Sequence, residues 1–280
     1  CLVGSEMCIR DSIPNPENET AMQSIMDAVQ ESKADLGIIF DTDVDRAGAV
    51  LSDGTELNRN RIIAMMAAIL LREHPGTTIV TDSITSTGLA AFIRKHGGVH
   101  HRFKRGYRNV INESMRLNRE GHDSQLAMET SGHGALKENY FLDDGAYLVT
   151  RLLIELARAK KEGYTLESLI ADLAEPAESK EFRMNILVPD FKAYGQKIID
   201  ELNVYAASQP GWSVAPDNFE GVRVNLDKAH GDGWFLLRLS LHDPLIPLNI
   251  ESDSVGGVRQ IAAELAPFLR PFDQLDTSAL

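Results

Sequence analysis

The chain has 280 residues, enough for about two domains that each bury a core of their own. Its formal net charge of −13 argues against a nucleic-acid partner, because nucleic-acid phosphates favour basic surfaces. No apolar run approaches the roughly 20 residues of a membrane helix, so we expect no spanning segment and no membrane partner. The two cysteines, Cys1 and Cys8, suggest no disulfide framework, and a reducing cytoplasmic location is the simplest expectation.

The first twelve residues differ from the rest of the chain. They lack the basic start, long apolar middle and small-residue cleavage site of a secretory signal. They also show no clear hydrophobic period before the turn-like Pro14-Asn15-Pro16. We interpret residues 1–12 as a non-native segment, and we expect the chain proper to begin in mid-protein.

From Asn18 onward, helical and extended patterns alternate. Apolar side chains at helical spacing predict helices over about 22–29, 62–70, 89–93, 110–117 and 148–156. Apolar runs predict strands over 36–40, 77–81, 99–103 and 126–128, and the turn-forming cluster 52–54 predicts a hairpin. Strands separated by helices favour a parallel or mixed sheet with both faces covered.

The pattern changes near Ala174, where residues 174–179 have the small, polar composition of a linker. Beyond it we predict strands over 182–187, 222–226, 234–239 and 248–251, with helices ending near Ala206 and covering about 261–269. Adjacent short strands with flanking helices indicate a small α+β domain. The predicted fold class is therefore α/β, with mixed-sheet α/β domains followed by a smaller α+β C-terminal domain.

The first candidate site is an acidic loop directly after the strand predicted over 36–40. Asp41, Asp43 and Asp45 alternate there, so their carboxylates can converge on one hard cation such as Mg²⁺. Without a cation the three carboxylates would repel one another, although Arg46 could compensate in part. The alternative is a solvated acidic turn that holds no ion.

The second candidate site follows the short strand over 126–128. Glu129, Ser131 and His133 alternate, and the neighbouring glycines Gly132 and Gly134 allow close backbone approach. A carboxylate and a hydroxyl suit sugar hydroxyls, and a histidine can hydrogen-bond a ligand or move a proton near neutral pH. A bystander histidine in an ordinary turn is the alternative. We expect the following segment 143–145 to cap the next helix rather than to do chemistry.

The third candidate site lies in the small domain, where Arg238 and Ser240 leave a predicted strand and enter a tight turn. A guanidinium fork, a hydroxyl and backbone N–H groups together can bind a phosphate. The alternative is an exposed surface arginine.

Together and in this order, the three loops resemble those of the α-D-phosphohexomutases, the phosphomannomutase and phosphoglucomutase superfamily. The resemblance covers almost the whole chain from about Pro14. It implies that the acidic loop binds Mg²⁺ through Asp41, Asp43 and Asp45. It also implies domain boundaries, with 13–55 as the C-terminal part of domain II, 56–174 as domain III and 175–280 as domain IV.

The resemblance further implies roles for the remaining candidates. Arg46 and His133 are expected to be catalytic. The expected substrate-binding residues are Glu129 and Ser131 for sugar hydroxyls, Arg238 and Ser240 for phosphate, and Arg108 as a basic contact. His242 is a further candidate for phosphate, although Leu241, His242 and Asp243 depart from the small, threonine-rich residues usual in that loop.

The implied activity is interconversion of hexose 1-phosphate and hexose 6-phosphate, with glucose and mannose phosphates as partners. The expected assembly is a monomer or a homodimer. A phosphoserine in the family's first domain donates the phosphoryl group, and we expect it to be absent from this sequence, because Ser83, Ser86 and Ser114 are poor substitutes. Two other functions remain open: a non-catalytic sugar-phosphate binding module, and a phosphatase or phosphotransferase with an aspartate nucleophile.

Overall fold

A computed structural model describes residues 14–240 and 243–280. The chain divides into two compact units, of which the first ends at Ala174 and the second covers Glu175–Leu280. The segment interpreted as non-native, 1–12, lies outside the described residues, and so does His242. Among the helices of the described ranges, none combines the length and apolarity needed to span a membrane.

The described part of the first unit, from residue 14 onward, begins with a helix packed on a small antiparallel sheet. The elements are helix α1 (Glu19–Ser32) and strands β1 (Leu36–Phe40), β2 (Ala47–Leu51) and β3 (Glu56–Leu57), in the sheet order β1-β2-β3. Asn18 caps α1 by accepting a hydrogen bond from the backbone N–H of Ala21 at 3.0 Å. The buried face of α1 covers the sheet, so the loop between β1 and β2 starts from a fixed strand end.

The second sheet of this unit is mixed, as the sequence predicted. Its strands are β4 (Thr78–Thr81), β5 (Val99–Arg102), β6 (Ser124–Met128) and β7 (Gly134–Leu136), in the order β5-β4-β6-β7. Strand β4 is parallel to β5 and β6, and β7 is antiparallel to β6. Both β4 and β6 therefore end at the same edge, which is where parallel sheets place their ligands.

Further helices of the first unit's described residues are α2 (Arg59–Glu73), α3 (Thr87–Lys95), α4 (Tyr107–Arg119) and α5 (Gly145–Glu162), with 3₁₀ turns at Lys137–Asn139 and Glu167–Leu169. Residues 62–71 of α2 are buried without interruption, which means that the helix is covered on all sides. Its side chains share one core with residues of both sheets. This shared core fixes the end of β1 relative to the end of β6.

The second unit is an antiparallel sheet with helices. Its elements are β8 (Glu178–Asn185), α6 (Phe191–Ala206), β9 (Trp212–Val214), β10 (Val222–Leu226), a 3₁₀ turn (Lys228–His230), β11 (Gly233–Leu237), β12 (Leu245–Ser252) and α7 (Gly257–Leu269). The strand order is β8-β12-β11-β10-β9. Apolar side chains of the sheet and of both helices form one core, so the predicted α+β class of this part is confirmed.

Several predicted boundaries shift. Strand β11 ends at Leu237 rather than at residue 239, and β8 starts at Glu178 rather than at 182. Helix α4 starts at Tyr107 rather than at residue 110, since its first turn is polar and carries no apolar period. Gly106, with a φ of 115°, marks the true start, because this backbone conformation suits glycine.

Candidate active site

The acidic loop brings its three aspartates together. Asp41 is buried directly after β1, Asp43 is exposed and Asp45 is half-buried. Each offers a carboxylate oxygen, and these oxygens lie within 4.8 Å of one another. Val44 has a left-handed φ of 65°, a strained conformation for a β-branched residue. The loop is thus held in an unusual shape in which the acidic side chains converge.

Arg46 closes this loop on Asp41. Its Nε donates to Asp41 Oδ2 at 2.6 Å and its backbone N–H donates to Asp41 Oδ1 at 3.1 Å. Burial alone would raise the pKa of Asp41, but the hydrogen bonds and charge of Arg46 outweigh it and hold that pKa below its usual range. The carboxylate is therefore ionised at neutral pH, as a metal ligand must be.

The negative charge of Asp45 is less well compensated than that of Asp41. Its Oδ1 is buried and has no hydrogen-bond partner within ranges 14–240 and 243–280. Burial, together with the charges of Asp41, Asp143 and Asp43, raises its pKa, although His133 opposes the shift. Three converging carboxylates, one with an orphaned oxygen, fit a hard divalent cation such as Mg²⁺.

The second loop lies against the first. The backbone N–H of Ala47 donates to the carbonyl of Gly132 at 3.2 Å, and Arg46 pairs with His133 in an isolated β-bridge. Gly132 has a φ of 101°, and a Cβ atom there would lie 2.8 Å from the carbonyl oxygen of Ala47. The predicted close approach at Gly132 is thus present, and it joins the two loops directly.

Glu129 is buried at the base of the second loop. Its Oε1 accepts a hydrogen bond from the backbone N–H of Gly106 at 2.6 Å, and the Ser131 hydroxyl lies 3.5 Å from its Oε2. Burial, followed by the negative charge of Asp82, raises the pKa of Glu129 to about 7. Glu129 and Ser131 therefore form one polar pair, and the carboxyl group can exchange a proton near neutral pH.

His133 is held on two sides. Its Nδ1 is 2.8 Å from Asp143 Oδ2, and its ring stacks on Tyr107 with centroids 4.9 Å apart. Burial lowers the pKa of His133, but the hydrogen bond and charge of Asp143 outweigh this and raise it overall. The same Nδ1 is 3.8 Å from Asp45 Oδ1, so His133 of the second loop also contacts the acidic loop.

The helix-capping role predicted for segment 143–145 is only partly confirmed. Asp144 does cap α5, accepting the backbone N–H of Tyr147 at 2.9 Å. Asp143, however, is not a helix cap, because its carboxylate binds His133 and the backbone N–H of Gly134 at 3.2 Å. This contact could not be predicted from sequence, since Asp143 and His133 are ten residues apart and meet only when β7 forms.

Arg108 lies in the first turn of α4, beside the second loop. Its side chain is exposed, and its Nε donates to the hydroxyl of Tyr107 at 3.1 Å. Because Gly106 binds Glu129 and Tyr107 stacks on His133, the start of α4 is fixed against this loop. The predicted residue Arg108 is thus placed near the sugar-binding candidates, while Tyr107 is an additional contact that sequence reasoning missed.

The phosphate-binding candidates lie in the second unit. Arg238 and Ser240 follow β11 and are both partly buried. The Ser240 hydroxyl accepts a hydrogen bond from the backbone N–H of Asp243 at 3.2 Å. Of the serines weighed as phosphorylation sites, Ser86 caps α3 and Ser114 is fully buried beside Ser124, so both serve the fold.

Comparison with known proteins places the chain in a family. The family model described as phosphoglucomutase/phosphomannomutase, alpha/beta/alpha domain III, matches residues 58–176. The model of domain II from the same family matches residues 5–54, a range that begins inside the segment interpreted as non-native. With both domain models matched in order, the chain belongs to the α-D-phosphohexomutase superfamily.

Individual relatives agree with this assignment. A phosphomannomutase/phosphoglucomutase from Pseudomonas putida is 32% identical over 250 residues, covering 89% of this chain and 50% of that protein. A phosphoglucomutase from Neisseria meningitidis is 29% identical over 249 residues, with the same coverage of 89% and 50%. The crystal structure of a phosphoglucomutase/phosphomannomutase family protein from Burkholderia thailandensis is 27% identical, with a TM-score of 0.77 over 96% of this chain and 53% of that one. The chain spans about half the length of the curated relatives it matches.

Proposed function

We propose that this chain carries the metal-, sugar- and phosphate-binding loops of a Mg²⁺-dependent phosphohexomutase that interconverts hexose 1-phosphates and hexose 6-phosphates. One observation carries the proposal: the acidic loop and the Glu129–His133 loop are joined through the Arg46–His133 bridge. The proposed cation site and the polar pair suited to sugar hydroxyls therefore lie in adjacent loops.

In this proposal Asp41, Asp43 and Asp45 hold the metal. When bound, Mg²⁺ neutralises charge on the transferring phosphoryl group, on which phosphoryl transfer mainly depends. Arg46 keeps Asp41 ionised and oriented. The phosphoryl donor is a phosphoserine supplied from outside the loops described above.

The substrate is held by the other candidates. Glu129 and Ser131 bind sugar hydroxyls, and Arg108 adds a positive charge beside them. Arg238 and Ser240, with His242, bind the phosphate that does not react. His133, held by Asp143, moves a proton to or from the sugar oxygen, which is a role suited to a histidine near neutral pH.

We further propose that residues 13–55, 56–174 and 175–280 correspond to the end of domain II, domain III and domain IV of the family. The substrates are glucose and mannose phosphates. The location is cytoplasmic and the assembly a monomer or a homodimer.

An aspartate-nucleophile phosphatase is less well supported. Both oxygens of Asp41 accept hydrogen bonds from Arg46, which lowers the reactivity of that carboxylate as a nucleophile. A non-catalytic binding module would retain ligand binding without turnover.

Conversion of glucose 1-phosphate to glucose 6-phosphate, followed by ³¹P NMR with Mg²⁺, tests the proposal. The protein extended by its upstream coding sequence should interconvert the two phosphates. The 280-residue chain should bind metal and sugar phosphate without turnover. If the extended protein converts no hexose phosphate, the proposal is wrong, and turnover by the 280-residue chain would contradict the external phosphoserine.

A further inference from the structure

A buried carboxylate forms a hydrogen bond with the second loop. Asp82 directly follows β4 and is fully buried. Its Oδ2 accepts a hydrogen bond from the hydroxyl of Thr130 at 2.7 Å. Thr130 lies between Glu129 and Ser131 and is itself buried. The hydrogen bond therefore joins the ends of two parallel strands at the centre of the candidate sugar-binding loop.

The main chain of Asp82 is itself held in place. Its carbonyl oxygen accepts the hydroxyl of Thr85 at 3.1 Å and that of Thr81 at 3.3 Å. The buried Arg102 donates to the carbonyl of Thr85 at 3.3 Å and to that of Ser86 at 3.0 Å. These contacts leave little freedom for the main chain after β4, so the backbone from which the Asp82 side chain extends is fixed.

We propose that Asp82 is a positioning residue for the sugar-binding loop, holding Thr130 and, through it, the adjacent Glu129 and Ser131. The proposal rests on the function proposed above for Glu129 and Ser131. Asp82 touches neither substrate nor metal in this role. It fixes the direction in which the two polar side chains on either side of Thr130 leave the backbone.

The negative charge of Asp82 gives this residue a measurable effect on the pKa of Glu129. Burial and the charge of Asp82 raise the pKa of Glu129, while the N–H of Gly106, the charge of Arg105 and that of His133 lower it. Removing the charge of Asp82 should therefore lower the pKa of Glu129. A residue that only fills space would not have this effect.

Two variants separate the hydrogen bond from the charge. Asp82→Asn keeps an oxygen that can accept the Thr130 hydroxyl but removes the charge. Thr130→Val removes the hydroxyl and leaves the charge, and Thr130→Ser is the matched control that restores a hydroxyl. The pKa of Glu129 is read in the 280-residue chain by ¹³C NMR of side-chain carboxyls, with Glu129→Gln identifying the signal.

We expect Glu129 in Asp82→Asn to titrate about one pH unit lower than in the parent chain. In Thr130→Val we expect no such fall, but about tenfold weaker binding of glucose 6-phosphate, with near-parent binding in Thr130→Ser. An unchanged Glu129 titration in Asp82→Asn overturns the inference, as does parent-like binding in Thr130→Val. Failure of the parent chain to bind glucose 6-phosphate would instead count against the proposed function, while the NMR titration would still decide whether Asp82 acts on Glu129.

Discussion

Arg46 binds Asp41 with both its side chain and its main chain, through Nε at 2.6 Å and the backbone N–H at 3.1 Å. The carboxylate of Asp41 is almost fully buried, whereas the guanidinium is partly exposed. This contact closes the loop between β1 and β2 and holds one of the three proposed metal ligands in place. The Arg46–Asp41 contact therefore preorganises the loop.

Replacing Arg46 with alanine should destabilise the chain by about 3 kcal/mol at pH 7, because it leaves the buried Asp41 charge without its guanidinium. The matched control is Lys160→Ala, which breaks an exposed ion pair to Asp35 and should cost less than about 1 kcal/mol. Urea unfolding in the absence of metal measures the loss of stability in both variants. Equal losses of unfolding free energy in the two variants would show that the Arg46–Asp41 contact stabilises the chain no more than an exposed ion pair does.

The same contact predicts a pH dependence. The pKa of Asp41 is lowered in the folded chain, so its stabilisation is present above the ordinary aspartate pKa and is lost as pH falls through the folded value. The difference in unfolding free energy between the parent chain and Arg46→Ala should therefore shrink on acidification. A difference in unfolding free energy that grew at low pH would contradict the lowered pKa of Asp41.

Asp43 offers the cleanest test of the metal site, because its side chain is exposed. Asp43→Asn should weaken Mg²⁺ binding by about tenfold or more, while changing the unfolding free energy of the metal-free chain by less than about 0.5 kcal/mol. Asp35→Asn, which removes an exposed aspartate outside the loop, is the control. Isothermal titration calorimetry measures both affinities, and an unchanged affinity in Asp43→Asn would mean that the acidic loop is a solvated turn.

Much of this site followed from sequence because its residues lie at strand ends. The strand predicted over 36–40 is present as β1, and the three alternating carboxylates after it do converge. What the sequence could not supply were partners that arrive from elsewhere. Asp82 and Thr130 are 48 residues apart, and only the parallel pairing of β4 with β6 makes them neighbours.

Short strands were also missed, for a related reason. Strand β7 has three residues, Gly134–Leu136, too few to show an alternating pattern. Yet it is β7 that returns the chain after the second loop and brings Asp143 to His133. Its existence depends on pairing with β6 rather than on its own composition.

Gly132 should be the most sensitive glycine of the two loops. Gly132→Ala combines a φ of 101° with a Cβ contact of 2.8 Å to the carbonyl oxygen of Ala47, and should cost about 3 kcal/mol. Gly97→Ala is the matched control, because Gly97 has a φ of 82° but nothing within 4 Å of the added Cβ, and should cost about 1 kcal/mol. Urea unfolding of both variants measures the difference. Equal costs would show that the two loops do not approach as closely as described.

Glu129 should make the chain less stable as pH rises. Its folded pKa is raised from 4.5 to about 7, so the folded state holds a proton that the unfolded chain releases, and stability falls as pH increases between those values. The penalty at higher pH is about 3 kcal/mol. Glu129→Gln should remove this loss, whereas the exposed control Glu162→Gln should not. The measurement is urea unfolding between pH 4.5 and 8. If the unfolding free energies of the parent chain and Glu129→Gln change in parallel with pH, the raised pKa of Glu129 is contradicted.

The most direct test of the account asks where the phosphoryl group resides during the reaction. The protein extended by its upstream coding sequence is incubated with ³²P-labelled glucose 1-phosphate and Mg²⁺, quenched in acid, digested and sequenced by mass spectrometry. If the acidic loop holds a metal, the label appears as phosphoserine, and the peptide that contains Asp41, Asp43 and Asp45 carries none. Label on Asp41 would contradict the account, because the loop would then be the nucleophile and not the metal site.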